Sequence, residues 1–388
     1  MSRTKSSAKR IYLDHNATTP LDPLVLEAML PYLREIFGNP SSIHSEGRAA
    51  RVAVDKARSQ LANFLGAKED EIYFTSGGTE SNNLAIRGAA EVCGKAGQRL
   101  VTSAVEHHAV LRPMQNLAGH GFVLDILRVD RYGRVNPEDL DQSLASGQAA
   151  LVSIIAANNE VGTIQPVCEL GAICRKHGVL FHVDAVQAAG KIPLDLSALP
   201  VDLLSVSGHK LYGPKGAGAL YVRKGVKLEP LILGGSHERR LRAGTENVAG
   251  IVGLGAACEL AGKETGEQNK LLSALRDRLW DRLRAMIEGI HLNGHPAERL
   301  SNTLNVSFEG VEGEALLLNL DLKGIAASSG SACASGSLEP SHVLTAMGVP
   351  AELAQNSVRF SLGRGNTEKE MDRTAEAAAE IVARLRSL

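Results

Sequence analysis

The chain has 388 residues, 44% of them hydrophobic and 22% charged, with 42 basic against 43 acidic side chains and a formal charge of -1. These are ordinary globular proportions, and the charge balance leaves no bulk electrostatic case for binding nucleic acid or an anionic membrane. Single cores stop growing near about 250–300 residues, so two lobes are expected.

Residues 1–10 are basic and polar but lead into no apolar stretch, so they read as a frayed terminus rather than a secretory signal. Nowhere does an apolar run approach the ~20 residues that span a bilayer. A short strand at Ile11 and Tyr12 runs into a turn, and helical spacing covers 23–37. After the loop Asn39-Pro-Ser-Ser-Ile-His44, a longer helix from Ser45 carries Val54, Ala57, Leu61, Phe64 and Leu65 along one face. Strands at 71–74, 99–104, 151–157, 179–183 and 203–207 then alternate with helical segments such as 81–90 and 169–177. That alternation predicts an α/β fold with a mostly parallel sheet covered on both faces.

Each of these strands ends in polar text: Thr75-Ser-Gly-Gly-Thr-Glu-Ser81, Glu106-His-His108, Asn158-Asn-Glu160, Asp184 and Lys210. Ligands bind at the carboxyl edge of an open α/β sheet, so five such strand ends predict one site. Beyond Thr245 the text changes. Leu271, Leu275, Leu279, Leu283 and Met286 mark a long amphipathic helix, 304–308, 325–327 and 358–361 read as short strands, and Met371, Ala375, Ala378, Val382 and Leu385 mark a closing helix. A smaller α+β lobe is expected, with its boundary between residues 248 and 268.

The stretch Val201-Asp-Leu-Leu-Ser-Val-Ser207-Gly-His-Lys210 is a buried strand that stops with a lysine at the mouth of the sheet, before the Gly/Pro-rich Tyr212-Gly-Pro-Lys-Gly-Ala-Gly-Ala219. Desolvation turns such a lysine into a usable amine nucleophile; the plain alternative is a surface lysine. Thr75-Ser-Gly-Gly-Thr-Glu-Ser81 lies between a strand and a helix, where glycines allow close approach and free N–H groups suit a phosphate. It is neither a Walker A loop nor a dinucleotide fingerprint, and Gly253-Leu-Gly-Ala-Ala-Cys258 lacks a third glycine. Asp184, two residues after His182, is a buried carboxylate that needs a positive partner, which a pyridinium nitrogen would supply. Anion cradle, carboxylate and lysine together are the contacts expected of pyridoxal 5'-phosphate.

The cysteines (Cys93, Cys168, Cys174, Cys258, Cys333) are odd in number and form no C-x-x-C pair, which predicts reduced thiols in a cytoplasmic protein. The first four read as small buried residues.

Nearly the whole chain resembles the cysteine desulfurases of class I, the NifS/IscS-like group within the class V aminotransferases. The matching stretches include Tyr12-Leu-Asp14, Ala17-Thr-Thr-Pro20, Phe37-Gly-Asn-Pro-Ser-Ser42, the Thr75 turn, Asn158-Asn-Glu160 and Phe181-His-Val-Asp-Ala-Val-Gln187. Ser207-Gly-His-Lys210, Arg242-Ala-Gly-Thr-Glu-Asn247, Ser328-Ser-Gly-Ser-Ala-Cys333 and Arg359-Phe-Ser-Leu362 match as well. The resemblance implies a fold-type I, pyridoxal-phosphate-dependent homodimer in the cytoplasm. It would have a mostly parallel seven-stranded sheet in a large domain (17–258) and a small domain (259–388, joined by residues 1–16) bearing a mobile catalytic loop at about 324–340. The activity implied converts L-cysteine to L-alanine and keeps the sulfur as a persulfide on Cys333.

By the same resemblance Lys210 is the Schiff-base lysine, Asp184 faces the ring nitrogen, Gln187 the ring hydroxyl, and His107 stacks on the ring and assists proton transfer. Gly78, Thr79, Ser207 and His209 hold the phosphate, while Thr245 reaches the neighbouring subunit's cofactor. Asn159 and Arg359 hold the substrate carboxylate, for which a planar guanidinium fork is suited. Cys333 is also the candidate ligand of a transient iron-sulfur cluster. The run Ala326-Ala-Ser-Ser-Gly-Ser-Ala-Cys-Ala-Ser-Gly-Ser337 is too poor in apolar side chains to pack firmly, as a nucleophile that must carry sulfur away requires. Only the thiolate attacks, so a base or the bound intermediate must help deprotonate Cys333, and His107 is a candidate. His15 stands where many relatives have asparagine or tyrosine. Many relatives also continue past Leu388 with a tail that docks an iron-sulfur scaffold, so the acceptor, whether for iron-sulfur clusters or tRNA thiolation, stays open. A selenocysteine lyase or another class V aminotransferase is the alternative, and Cys333 discriminates, since a transaminase has no use for it.

Overall fold

The structure, a computed structural model, describes residues 10–93, 97–330 and 340–387. After β1 (Ile11–Tyr12), Asp22 caps α1 (Pro23–Arg34) by accepting from Leu24 N, and Pro23 stands at the start, where no N–H is needed. Helix α2 (Ser45–Leu65) is capped by His44, whose ring accepts from Gly47 N, and ends on Gly66 at φ 64. Its buried face holds Val54, Ala57, Leu61 and Leu65 of the stripe the spacing predicts, with Phe64 half-buried beside them.

The sheet-forming region runs β2 (Ile72–Thr75), α3 (Gly78–Cys93), β3 (Arg99–Ser103), α4 (His108–Ala118), β4 (Val123–Leu127) and α5 (Pro137–Ala145). It continues with β5 (Ala149–Ile155), α6 (Val167–His177), β6 (Leu180–Asp184), β7 (Leu203–Ser207) and β8 (Gly218–Val222). These strands form one seven-stranded sheet in the order β2-β8-β7-β6-β5-β3-β4. Only β8 runs against the others, so the expected mostly parallel sheet is present and six carboxyl ends share one edge. Strands β5 and β7 are buried at every residue, as central strands covered on both faces must be. Sequence reading missed β4, a half-exposed edge strand, and β8, which begins inside the Gly/Pro-rich stretch.

Helix α7 (Val248–Met286) then runs without a break for 39 residues. Its first half packs Ile251, Leu254, Ala257 and Cys258 into the core under the large sheet, and its second half packs Leu272, Leu275, Leu279 and Leu283 into a second core. The junction of the two cores therefore lies inside a helix. Of the expected stripe Leu275, Leu279 and Leu283 are buried, whereas Leu271 and Met286 are exposed. Only the second half was legible in sequence, because the first is rich in Ala and Gly. Close packing explains that composition: a Cβ on Gly255 would sit 2.8 Å from Ala57 Cβ of α2.

The second core is built by β9 (Ile290–Asn293), β10 (Thr303–Phe308), α8 (Gly313–Leu322), β11 (Ile325–Ala326), α9 (His342–Ala346), α10 (Ala351–Gln355), β12 (Ser357–Ser361) and α11 (Glu368–Arg386). Strands β12-β10-β9 form an antiparallel sheet, and β11 pairs in parallel with β1, which brings Ile11 and Leu13 into this core. No described helix is long and apolar enough to cross a membrane.

The cysteine reading needs correction. Cys174 and Cys258 are buried, but Cys93 is half-buried and Cys168 is exposed. The buried face of α6 is Val167, Leu170, Gly171 and Cys174, and Cys168, one residue past Val167, is turned about 100° away from it.

Candidate active site

The carboxyl edge of the large sheet opens into a cavity of about 320 Å³. On one side α3 begins directly after β2. A Cβ on Gly78 would sit 2.5 Å from Val186 Cγ2, so this approach of chain to chain requires glycine. First-turn N–H groups have no partner within their own helix, and here they border a recess of about 360 Å³ shared with Ser207, His209 and Lys215. The His209 ring lies 3.2 Å from Thr18 Oγ1. Burial, then Lys210 and Lys215, push its pKa down to about 4, so the ring is neutral beside this basic recess.

Asp184 closes β6 and is 2% exposed. Asn82 Nδ2 donates to its Oδ2 at 2.7 Å and Val186 N to its Oδ1 at 3.0 Å. Two donors hold the carboxylate facing the cavity, while Asn82 Oδ1 itself finds no partner among the described residues. Behind it, burial pushes Glu106 up to about 8, with Asp184 adding to the shift, so Glu106 carries a proton at neutral pH. His182, two residues before Asp184, is fully buried, with its ring nitrogens 2.8 Å from Ser153 Oγ and 3.0 Å from Ser205 Oγ. Its pKa falls to about 3 through burial, so it is a neutral tie between β5, β6 and β7.

Lys210 follows β7 by a single tight turn, and its Nζ donates to the carbonyls of Asn16 and, at 2.7 Å, Ala17. Gln187 Nε2 donates to the same Asn16 carbonyl at 2.8 Å. His107 caps α4, its Nδ1 accepting from Ala109 N at 3.0 Å. In the neutral ring the proton is thereby on Nε2, so His107 presents a donor and not a base in this arrangement. Arg359 comes from β12 in the second core. It is 2% exposed, and its Nη1 donates to the carbonyls of Asn159 at 2.9 Å and Gly330 at 3.0 Å. Its Nε has no partner among the described residues.

Gly78, Thr79, His107, Asn159, Asp184, Gln187, Ser207, His209, Lys210 and Arg359 thus all line one cavity. Thr245 does not; it is exposed, two residues before the Asn247 cap of α7. Cys333 lies outside the described residues, and its nucleophile and cluster-ligand readings lie there with it. Among the described residues no group of three or more His, Cys, Asp or Glu side chains could hold a metal ion.

Sequence reasoning missed Asn16, Asn82 and His342; the His342 ring stands 4.8 Å from that of His108, which the Glu106-His-His108 strand end had marked, on the cavity wall. Asn82 was accessible from its place one helical turn past Gly78. Asn16 acts through its backbone carbonyl, which leaves no trace in residue type. His15 is buried, with Nδ1 3.1 Å from the Ser361 carbonyl and Gly363 tight against its ring.

Residues 11–374 match the family described as aminotransferase class-V. The chain is 55% identical over 380 residues to the cysteine desulfurase IscS of Methanosarcina thermophila, covering 98% of this chain and 94% of that protein. Among solved structures, a NifS-like protein aligns with a TM-score of 0.90 at 43% identity, covering 96% of this chain and 99% of that one. SspA in complex with cysteine aligns with a TM-score of 0.80 at 37% identity, covering 91% and 98%. The chain therefore belongs to the class-V aminotransferase family and, within it, to the cysteine desulfurases, with their fold-type I sheet.

Proposed function

We propose that this enzyme uses pyridoxal 5'-phosphate to take sulfur from L-cysteine, releasing L-alanine and leaving a persulfide on Cys333. The observation that best supports this is the convergence of Lys210, Asp184 and the start of α3 on one cavity. The residues fit the cofactor: a glycine cradle with helix N–H groups for the phosphate, a carboxylate for the ring nitrogen and an amine for the aldehyde carbon. When bound, the cofactor supplies an electron sink for the bonds at the substrate's α-carbon.

Lys210 Nζ would hold the cofactor's aldehyde carbon and then move a proton to and from the substrate α-carbon. Asp184 would keep the ring nitrogen protonated, and its two donors hold it in place for that. Gly78, Thr79, Ser207 and neutral His209 would bind the phosphate, and His107 would face the ring and give a proton from Nε2. Asn159 and the Arg359 fork would orient the substrate by its carboxylate. Cys333 thiolate would attack the substrate sulfur, and the C–S electron pair would stay on the carbon, which takes up a proton. Cysteine plus enzyme thiol thus balances alanine plus enzyme persulfide without an outside oxidant.

The quaternary and cellular reading follows. Phe37, Ile43 and Leu233 are 84%, 90% and 81% exposed, on loops near Ser41 and Ser236, which share one recess; this supports pairing with a second copy. Thr245 would then reach the phosphate held by that copy. We read residues 17–258 as the large lobe and 259–388 with 1–16 as the small one, a division supported by the pairing of β1 with β11. The enzyme would act in the cytoplasm and pass sulfur to an acceptor such as an iron-sulfur scaffold.

The test is Cys333→Ala. The variant should keep the visible absorbance of the bound cofactor and lose sulfide release from L-cysteine; unchanged release overturns the persulfide route.

A further inference from the structure

A second lysine stands behind the cavity. The turn after β6 folds back on itself, with Ala188 N and Ala189 N both bonded to the Ala185 carbonyl and Lys191 N to the Ala188 carbonyl. Gly190 takes φ 70 there, and any Cβ on it would sit 2.5 Å from Leu211 Cδ2. The result puts Lys191 beneath Gln187, where its Nζ donates to Gln187 Oε1 at 2.8 Å. Asn269 of α7 clamps the Lys191 carbonyl at 2.6 Å and is itself held by Ser301 Oγ at 2.7 Å. Lys191 as a whole is half-buried, and its ammonium is desolvated. Burial first, then Lys210 and Arg359, push its pKa down to about 7. No carboxylate among the described residues lies within ion-pair distance of it, and its Nζ donates to the Gln187 oxygen.

In its charged form Lys191 has three donors and no acceptor, so the ammonium can meet only the oxygen end of a carboxamide. That decides which way round Gln187 sits. Nε2 is turned to the Asn16 carbonyl, the group that also receives Lys210 Nζ, and its remaining N–H is left for the cavity that Gln187 lines. A ring oxygen of the cofactor is an acceptor, and a flipped amide would oppose it with a second acceptor.

We propose that Lys191 is a positioning residue of this site: it locks the Gln187 carboxamide with its donor end toward the cofactor's ring oxygen. This rests on the cofactor reading given above. The two are separable, because Lys191 does not line the cavity and would act only through Gln187.

The experiment is a double-mutant cycle on the full chain stripped of cofactor, titrated with pyridoxal 5'-phosphate and followed by fluorescence and visible absorbance. Lys191→Met should weaken cofactor binding about tenfold, one hydrogen bond's worth. Lys191→Arg, also a donor without an acceptor, should stay within about twofold of wild type. In the Gln187→Ala background, Lys191→Met should add less than about twofold. Circular dichroism and melting of each cofactor-free variant check that it is folded. Equal weakening by Lys191→Met in both backgrounds, no weakening in either, or failure of Lys191→Arg to preserve affinity overturns the proposal. Wild-type chain that binds no cofactor overturns the site reading instead, and this inference falls with it.

Discussion

Arg359 Nη2 donates to Asp14 Oδ1 at 2.8 Å across 345 residues of sequence, joining β12 to the segment after β1. With its Nη1 bonds to two carbonyls, this contact fixes the plane of a guanidinium that is otherwise buried in the cavity wall. A lysine cannot make these bonds and also grip a carboxylate as a fork. Arg359→Lys should raise KM for L-cysteine at least about tenfold, the loss of one charged hydrogen bond, in steady-state assays of sulfide release. An unchanged KM would remove Arg359 from substrate binding.

Arg58 and Glu238 form a buried two-pronged pair at 2.8 and 2.6 Å, and Glu238 also accepts from Phe74 N at the end of β2. Their side chains are 7% and 3% exposed. Breaking such a pair from one side strands a buried charge, which costs on the order of 3–5 kcal/mol. Arg58→Ala should therefore lower the melting midpoint by several degrees; a shift under about 1 °C would contradict the pairing energy.

Acid should destabilise the fold through His182 and His15. Burial holds their folded pKa values at about 3 and about 4, against 6.5 unfolded. Depressed values mean that the unfolded chain binds more protons, so stability is fully present above pH ~6.5 and is lost as pH falls toward 4 and 3. Each contributes up to ~1.4 kcal/mol per pH unit in that window. Denaturant midpoints measured from pH 7 to 4 should fall, and His182→Asn should flatten the slope by about one proton.

Glu106 works in the opposite direction. Its carboxyl is raised from 4.5 to about 8, so its contribution is fully present below pH ~4.5 and declines as pH rises through 8. Glu106→Gln, which keeps an oxygen to accept from Ser103 Oγ and Ile155 N, should gain on wild type by a few kcal/mol between pH 5 and about 9. Parallel stability profiles for the two proteins would show that Glu106 is not protonated in the folded state.

The local sequence by itself determined the parts of this protein that follow from short-range chemistry. Alternating strand and helix text specified a mostly parallel sheet. The turn at Thr75, the carboxylate at Asp184 and the lysine at Lys210 were legible because each sits where a strand stops, and turn chemistry is written in adjacent residues. What only the tertiary structure decided is how distant groups satisfy one another. The Asn16 carbonyl serves both Lys210 and Gln187, Asp14 holds Arg359, and one helix carries the chain from the first core into the second. The reason is physical. Buried polar groups must find partners wherever packing places them, and a partner that is a backbone carbonyl or lies hundreds of residues away leaves no local pattern to read.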